Sequence, residues 1–300
     1  MTIARGFALL LCVLPCATAC RETPRAKAAE LRQVEATRKQ ELSRRIAMAD
    51  ANPAKAAPLA MWIMPPELKE ISGLALTTHG TVLAHDDNIA RIYEIDPKTG
   101  ILLKGFSLNG LPHGDFEAIT IAGPDIYLLH SKGRIYKFKE GADAGQVPYT
   151  VYDPGLGKEC EFESMAYEAD SSRLLLVCKQ FLGKNDPHEL LIYRLPLPFN
   201  RSTMSTLRVP IEDVIGSNKW KDFHPSDINI DPITKNYVIV ASHEKGLLMM
   251  TPKGNVVRSE PLPDDHRQPE GVAITRDSIL IVSDEANVKP PAITLYRWRP

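Results

Sequence analysis

The chain has 300 residues, of which 24% are charged and 44% hydrophobic, and its formal net charge is -1 at pH 7. This balance excludes a basic surface for nucleic acid and an acidic excess that would keep the chain disordered. Composition therefore favours no particular class of charged partner, and no nucleic-acid partner is expected.

The N-terminal residues predict export. Arg5 precedes an apolar stretch over residues 7–14, which ends in small residues and a cysteine, Ala17-Thr18-Ala19-Cys20. This pattern is typical of a secretory signal peptide, and the apolar stretch is too short to span a bilayer. Because a cysteine directly follows the small residues, the pattern also resembles a bacterial lipobox. We predict that residues 1–19 are removed and that Cys20 is lipidated; the alternative is plain secretion.

A lipid on Cys20 would attach the protein to a membrane. The expected location is the bacterial cell envelope, with the protein facing the periplasm. Arg21 stands after the cysteine where an Asp would favour retention at the inner membrane, so the sequence favours the outer membrane.

Residues 26–50 are rich in Ala, Glu, Gln, Lys and Arg and contain neither Gly nor Pro. This composition predicts a helix that ends before Asn52-Pro53. Its apolar positions form only a thin stripe: Leu31, Val34, Leu42 and Ile46. We therefore interpret residues 20–57 as a solvated helical spacer. The alternative is that the segment, through its excess of Lys and Arg, lies against anionic lipid headgroups. The globular domain is expected over residues 58–300.

From residue 68 onward a short motif recurs five times, at intervals of about 45 residues apart from one longer interval. The copies are Ser72-Gly73-Leu74-Ala75, Glu117-Ala118-Ile119-Thr120, Glu163-Ser164-Met165-Ala166, Ser226-Asp227-Ile228-Asn229 and Glu270-Gly271-Val272-Ala273. Each copy is followed by a turn, a second apolar strand and then a third strand. Short strands with this period predict an all-β fold, a five-bladed β-propeller of four-stranded antiparallel blades.

The ends of the repeat region predict how the ring closes. The last copy reaches the end of the chain after its third strand, whereas residues 59–64 form an apolar stretch before the first copy. We predict that this stretch supplies the outer strand of the last blade and removes an open edge. The longer interval predicts two inserted loops, over residues 183–188 and 198–221, and long loops on a rigid scaffold often carry binding sites.

Cys160 and Cys178 fall in the same predicted hairpin of an exported domain. An oxidising compartment permits a disulfide between them. Two buried thiols are equally compatible with the sequence, because a shift of one residue in the hairpin register decides whether the pair can meet.

Several motifs resemble the SdiA-regulated family. They are Glu70-Ile71-Ser72-Gly73-Leu74-Ala75 with Asp86-Asp87, Gly114-Asp115-Phe116-Glu117-Ala118-Ile119, and Pro269-Glu270-Gly271-Val272-Ala273 with Ser283-Asp284-Glu285. The resemblance covers about residues 65–300 and rests on short motifs, with Ser226 departing from the Glu of other copies. It implies an exported five-bladed propeller, distantly related to NHL-repeat propellers, with a calcium site.

The residues themselves also predict a cation site at one mouth of the propeller channel. The innermost strand of each blade lines the axis, and Glu117, Glu163 and Glu270 open three of those strands. An antiparallel second strand ends where the first begins. It brings further polar side chains to the same mouth: Asp86, Asp87, His130, Ser242, His243, Asp284 and Glu285. Because no Lys or Arg stands at the matching positions, these carboxylates are expected to need a cation or raised pKa values.

Calcium suits such a site because it accepts about six to eight oxygen ligands in a flexible cage. We predict calcium ligands in Glu117, Glu163 and Glu270, with Asp227 and Glu70 either as supplementary ligands or as groups that support the ligands. The alternative is a hydrated rim of carboxylates without metal.

Two functions are compatible with this sequence. Motifs of zincins, serine hydrolases, nucleotide-binding loops and zinc ribbons are absent from it. We favour an envelope module that binds an unknown small-molecule or protein ligand at the calcium-stiffened mouth. The alternative is a calcium-dependent hydrolase of lactones, esters or phosphoesters, for which His85, His130 and His243 are weak candidates as the base.

Overall fold

The computed structural model describes residues 24–53, 57–263 and 266–300. The predicted signal peptide and Cys20 lie outside the described residues. No helix within these ranges is both long and apolar enough to cross a bilayer.

Five antiparallel sheets form the body of the protein. In chain order the strands are β1 (Ala60–Ile63); β2 (Ile71–Leu76), β3 (Val82–Asp86), β4 (Arg91–Asp96) and β5 (Ile101–Leu108) of the first blade; and β6 (Phe116–Ala122), β7 (Asp125–His130), β8 (Ile135–Phe138), β9 (Gln146–Val147) and β10 (Tyr149–Tyr152) around the second. They continue with β11 (Cys160–Glu168), β12 (Arg173–Phe181), β13 (Glu189–Pro196) and β14 (Ser205–Pro210) of the third; β15 (Pro225–Ile230), β16 (Tyr237–Ala241), β17 (Gly246–Met250) and β18 (Val256–Pro261) of the fourth; and β19 (Pro269–Ile274), β20 (Ile279–Asp284) and β21 (Ala292–Arg297) of the fifth.

The sheets are arranged as the blades of a propeller. Each inner strand, β2, β6, β11, β15 or β19, contacts the inner strands of both neighbouring blades, so the five strands close a ring around an axis. Each blade then runs outward through antiparallel neighbours, and only the short β9 is added in parallel, beside β5. The predicted all-β, five-bladed propeller of four-stranded blades is confirmed.

The ring is closed by the N-terminal strand, as predicted. β1 pairs antiparallel with β21, from Ala60 opposite Leu295 to Ile63 opposite Ala292. The indole N–H of Trp62 donates to the carbonyl of Pro97 over 2.8 Å, which ties this strand to the first blade as well. The fifth blade thereby gains its fourth strand, which comes from the other end of the propeller domain.

The hydrophobic core lies between adjacent blades. The cluster between the fifth and first blades, for example, contains Ile71, Ile95, Ile281 and Leu295, all of them buried. β-branched and leucine side chains alternate along these strands because each blade packs one face against each neighbour. Burial of these apolar faces holds the mouth in a fixed geometry.

The N-terminal helix α1 (Pro24–Ala51) is largely exposed, but one face of its second half packs on the propeller, which the expectation of a solvated spacer did not include. Leu42 is 3% exposed and packs with Ile46 on the cluster between the fifth and first blades. The Arg38 guanidinium lies over the Trp62 ring, 4.9 Å from its centroid, and Arg297 donates to Asp50 over 2.6 Å. A thin apolar stripe is sufficient here because polar contacts with the propeller accompany it.

The long third interval also differs in part from expectation. Residues 182–188 are a loop, but the segment over residues 198–221 contains β14 and a short helix, α2 (Ile211–Ile215). Val209 and Val214 are buried, so this segment completes the third blade instead of standing out as a binding loop. Cys160 and Cys178 form a disulfide with Cα atoms 5.6 Å apart, joining β11 to β12.

Candidate functional site

A β-bulge occurs at the same point in the inner strand of every blade. The hydrogen-bonded ladder skips Gly73, Glu117, Glu163, Ser226 and Glu270. A bulged residue is unpaired and its side chain is re-aimed relative to the strand. The three predicted glutamates therefore share one structural position at the end of three inner strands.

Lys179 lies among these carboxylates, which corrects the expectation that the mouth holds no lysine or arginine. The ladder between β11 and β12 skips Lys179 as well as Glu163, and the two unpaired side chains form an ion pair. Lys179 also interacts electrostatically with Glu270 and Glu117. Burial opposes its charge, but the attraction of Glu163 raises the pKa of the Lys179 ammonium above its usual value.

Glu117 holds a proton at neutral pH. Burial raises the pKa of Glu117 to about 10, and repulsion from Glu163 and Asp115 adds to the rise. Glu117 is hydrogen bonded to Asp115, which also raises its pKa. The protonated carboxyl of Glu117 is thus the donor and Asp115 the acceptor of a carboxyl–carboxylate pair.

A second carboxyl–carboxylate pair joins the fifth blade to the first. Burial, the hydrogen bond to Glu70 and repulsion from Glu270 together raise the pKa of Glu285 to about 9. The hydrogen bond from Glu285 and the one from Lys69 hold the pKa of Glu70 below its usual value. In the absence of a bound cation, Glu70 and Glu285 therefore share one proton.

The tightest acidic group at the mouth consists of Glu70, Asp87 and Glu285, whose ligand oxygens all lie within 4.8 Å of one another. Burial and repulsion from Glu70 raise the pKa of Asp87 to about 6. Calcium binds oxygens at about 2.3–2.6 Å, so oxygens on opposite sides of one ion are about 5 Å apart. The spacing of this group fits a calcium ion.

The predicted ligand set is not assembled as the sequence suggested. Among the described residues, Glu117, Glu163 and Glu270 do not form one group of ligand size. Glu70, expected as a supplementary group, belongs to the tight group together with Asp87 and Glu285, which were expected only to line the mouth.

Asp227 has a structural role that its residue type did not reveal. It is fully buried and accepts hydrogen bonds from the N–H groups of Val272, Ile228 and Leu74, over 2.8, 2.9 and 3.1 Å. Burial raises the pKa of Asp227 well above its usual value. Its carboxyl group thereby links the inner strands of the fourth, fifth and first blades. The expectation of Asp227 as a ligand is corrected accordingly.

The remaining predicted mouth residues are mostly held by local hydrogen bonds. Asp86 accepts from two backbone N–H groups of its own turn. Asp284 accepts hydrogen bonds from two backbone N–H groups and from the buried imidazole of His266. His130 accepts a backbone N–H at Nδ1, and the N–H of Ser242 donates to a serine hydroxyl of β15. These residues shape the mouth.

His85 presents a bare nitrogen beside the first-blade bulge. It is completely buried, and its Nε2 has no hydrogen-bond partner among the described residues. Its Nδ1 lies 3.2 Å from the carbonyl of Asp86, so Nδ1 carries the proton. Burial lowers the pKa of His85 to about 4. A Cβ added to Gly73 would lie 2.9 Å from this Nε2, which therefore faces the bulged glycine.

Two features of the fourth blade, a group of possible metal ligands and a cavity, were not predicted from the sequence. His224 and Glu244 were not singled out, yet they group with His243. A cavity of about 240 Å³ lies beside them, between the third and fourth blades, and Lys179, His188 and His224 are among its lining residues. In the sequence, this group is marked only by a histidine before an inner strand and by a His-Glu pair in a turn.

The comparisons agree with a propeller. No protein-family model matches the chain, and no curated protein matches it. Among solved structures, it is similar to the PQQ-bound aldose sugar dehydrogenase of Streptomyces coelicolor (13% identity, TM-score 0.53, 81% of this chain and 98% of that chain). It is also similar to the glutaminyl cyclase of Myxococcus xanthus (11%, 0.53, 80% and 95%) and to a luciferin-regenerating enzyme (10%, 0.50, 80% and 95%).

At such low identity these likenesses establish the fold alone. Together, the sheets, the ring of inner strands and the comparisons define the class of the protein: an all-β, five-bladed β-propeller with an acidic mouth.

Proposed function

We propose that the protein is a binding module of the bacterial cell envelope that holds calcium at the acidic mouth of its propeller. The observation that carries this proposal is the group of Glu70, Asp87 and Glu285, with its ligand spacing and its crowded negative charge. These three carboxylates would hold the ion, and Glu270 is close enough to raise the pKa of Glu285. When bound, calcium would supply positive charge in place of shared protons and offer coordination positions to a ligand oxygen.

The two shared protons at the mouth support this proposal. Carboxyl–carboxylate pairs such as those of Glu117 and Glu285 reduce repulsion only by retaining protons that a cation can displace. The mouth is therefore electrostatically prepared for a positively charged ligand.

The cavity between the third and fourth blades is the proposed place for the molecule that the module recognises. Its volume of about 240 Å³ lies below the range of roughly 300–1,000 Å³ for drug-sized ligands. It is lined by both cationic and anionic side chains, including Lys179 and Asp222. A small polar molecule, or one polar segment of a protein partner, matches this size and lining.

Thermal melting with and without metal tests the calcium proposal. A cation that binds only the native state stabilises it by about 2.7 kcal/mol at a hundred times its dissociation constant. EDTA should lower the melting temperature, and calcium should restore it better than magnesium, which demands a tighter octahedral cage. Asp87→Asn should weaken this response, whereas Asp170→Asn, at an exposed position on the third blade, should not. A melting temperature that ignores calcium in the unaltered protein would refute the site.

The hydrolase alternative requires a base beside the metal. Among the described residues, no histidine nitrogen belongs to the group of Glu70, Asp87 and Glu285. Burial also lowers the pKa of His85 and His130, which makes both imidazoles weaker bases. We therefore favour the binding module over the hydrolase. A screen on lactones, aryl esters and phosphoesters, with and without EDTA, decides between them, because metal-dependent turnover would favour the hydrolase.

Anchoring at the envelope rests on Cys20. If Cys20 carries lipid, labelled palmitate should enter the unaltered protein, and the protein should partition with membranes. Cys20→Ala should abolish the label and release or stall the chain. Absence of label from the unaltered protein would leave plain secretion as the explanation of the N-terminal pattern.

A further inference from the structure

A second group of ligand atoms lies at the fourth blade, separate from the acidic group of Glu70, Asp87 and Glu285. It consists of His224, His243 and Glu244, whose ligand atoms lie within 4.8 Å of one another. His224 directly precedes β15, and the other two residues lie in the turn between β16 and β17. Two imidazoles and one carboxylate form a donor set different in chemistry from the oxygen-only set proposed for calcium.

Glu244 is held in a defined position. Its side chain is 4% exposed, and its Oε2 accepts the backbone N–H of His224 over 2.9 Å. Its Oε1 faces the Nδ1 atoms of His224 and His243, at 2.8 and 2.9 Å. Within the described residues, both ion pairs of Glu244 are with these imidazoles. A hydrogen bond from a backbone N–H orients a carboxylate ligand and leaves its second oxygen available.

The turn that carries the group is itself fixed. The N–H of Ser242 donates to the Ser226 hydroxyl over 2.8 Å, and the N–H of Lys245 donates to the Ser242 carbonyl over 3.3 Å. The side chain of His243 is 81% exposed, which gives an ion direct access from solvent. The geometry therefore combines two positioned ligands with one that is free to adjust.

The distances suit a small tetrahedral ion. Zinc binds imidazole nitrogens at about 2.0–2.1 Å and carboxylate oxygens at about 2.0–2.2 Å, which places neighbouring ligand atoms about 3.3 Å apart. The distance from each Nδ1 to Glu244 Oε1 is only a few tenths of an ångström shorter than this ligand separation. Small rotations of the imidazole rings would therefore admit the ion. Imidazole favours zinc, copper and nickel over calcium.

We propose that His224, His243 and Glu244 bind a divalent transition-metal ion, with zinc as the best match, and leave one coordination position for water or a ligand. The nearby Lys179 does not oppose this strongly, because Glu163 already pairs with its ammonium. His224 also lines the cavity of about 240 Å³, so the site adjoins the pocket proposed for the recognised molecule. The proposal does not depend on calcium binding at the acidic mouth.

Zinc titration of the protein, with any affinity tag removed, tests the site. We expect one equivalent of zinc to bind with a dissociation constant in the micromolar range or below, and cobalt to bind with the visible absorption of tetrahedral coordination. His224→Gln and His243→Gln should each weaken binding at least tenfold. His79→Gln, an exposed histidine of the first blade, is the matched control and should bind as the unaltered protein does. Calcium at millimolar concentration should not compete.

His243→Gln is the decisive variant, because its side chain is exposed and its replacement leaves the packed core of the blade unchanged. Zinc affinity that is unchanged in the His224→Gln, His243→Gln double variant would overturn the proposal. It would also be overturned if Asp87→Asn, and not the histidine variants, abolished zinc binding, since the ion would then occupy the acidic mouth.

Discussion

Lys179 and Glu163 pair across one hairpin because the ladder between β11 and β12 skips both residues. Paired bulges turn both side chains away from the strand register and towards the mouth. The result is a built-in ammonium among carboxylates that otherwise relieve their repulsion by sharing protons. The mouth thus contains an internal counterion in addition to the proposed calcium site.

Removing this ammonium should make the protein more dependent on calcium. In EDTA, Lys179→Met should lower the free energy of unfolding by about 1–2 kcal/mol, between the values typical of exposed and of buried ion pairs. Calcium should then raise the melting temperature of the variant more than that of the unaltered protein, because Lys179 no longer offsets the charge of nearby carboxylates such as Glu163 and Glu270. The measurement is calorimetric melting with and without calcium.

Lys253→Met is the matched control for this experiment, since Lys253 is an exposed residue of the fourth blade. It should melt like the unaltered protein under both conditions. An equal calcium response in Lys179→Met and the unaltered protein would contradict the role of Lys179 as an internal counterion.

Glu117 should make stability depend on pH. The folded pKa of Glu117 is raised to about 10 from an ordinary value of 4.5, through burial and repulsion from Glu163 and Asp115, with Lys179 opposing. A raised pKa stabilises the fold fully below the ordinary value, and this contribution is lost as the pH rises towards 10. In EDTA, the melting temperature of Glu117→Gln minus that of the unaltered protein should therefore increase as the pH rises from 4.5.

This comparison isolates Glu117 from other titrating groups. His85, with its pKa lowered to about 4, contributes stability above pH 6.5 that is lost as the pH falls through 4, but it does so in both proteins. The difference between the two melting curves is the quantity to plot against pH. A difference that stays constant from pH 5 to pH 9 would show that Glu117 does not retain its proton.

The docked helix α1 should contribute to the stability of the propeller. Leu42 is 3% exposed and packs on the propeller cluster, so Leu42→Ala should cost about 2–3 kcal/mol. Leu31→Ala, whose side chain is 48% exposed on the same helix, should cost almost nothing. Equilibrium unfolding in urea measures both values. Equal stability of the two variants would mean that the helix does not pack on the propeller in solution.

The blades were predictable because they depend on local information. Alternation along each strand, turn residues and a repeat near 45 residues are all visible within one copy. The closure by residues 59–64 followed from counting strands. The docking of α1 was missed because Leu42 and Ile46 alone form a thin stripe, and the polar contacts of Arg38 and Asp50 depend on the folded propeller.

The residue types at the mouth could be predicted from the sequence, but which of these residues lie close together could not. Which residue is skipped in a bulge depends on the register of both strands, so the sequence did not place Lys179 beside Glu163. Glu70 and Asp87 face each other across β2 and β3, but Glu285 joins them only because the fifth blade packs against the first. Asp227 shares the residue type of a ligand, yet its carboxylate accepts backbone N–H groups that no sequence pattern identifies.

Calorimetric titration with calcium at pH 7, in two buffers of different ionisation enthalpy, tests the calcium site most directly. Because Glu285 retains a proton up to a pKa of about 9, a bound cation should displace it. We predict one bound calcium per chain and release of about one proton, with the proton release lost in Glu285→Gln. Absence of binding heat in both buffers, or binding that releases no proton and is unchanged in Glu285→Gln, would contradict calcium binding by Glu70, Asp87 and Glu285.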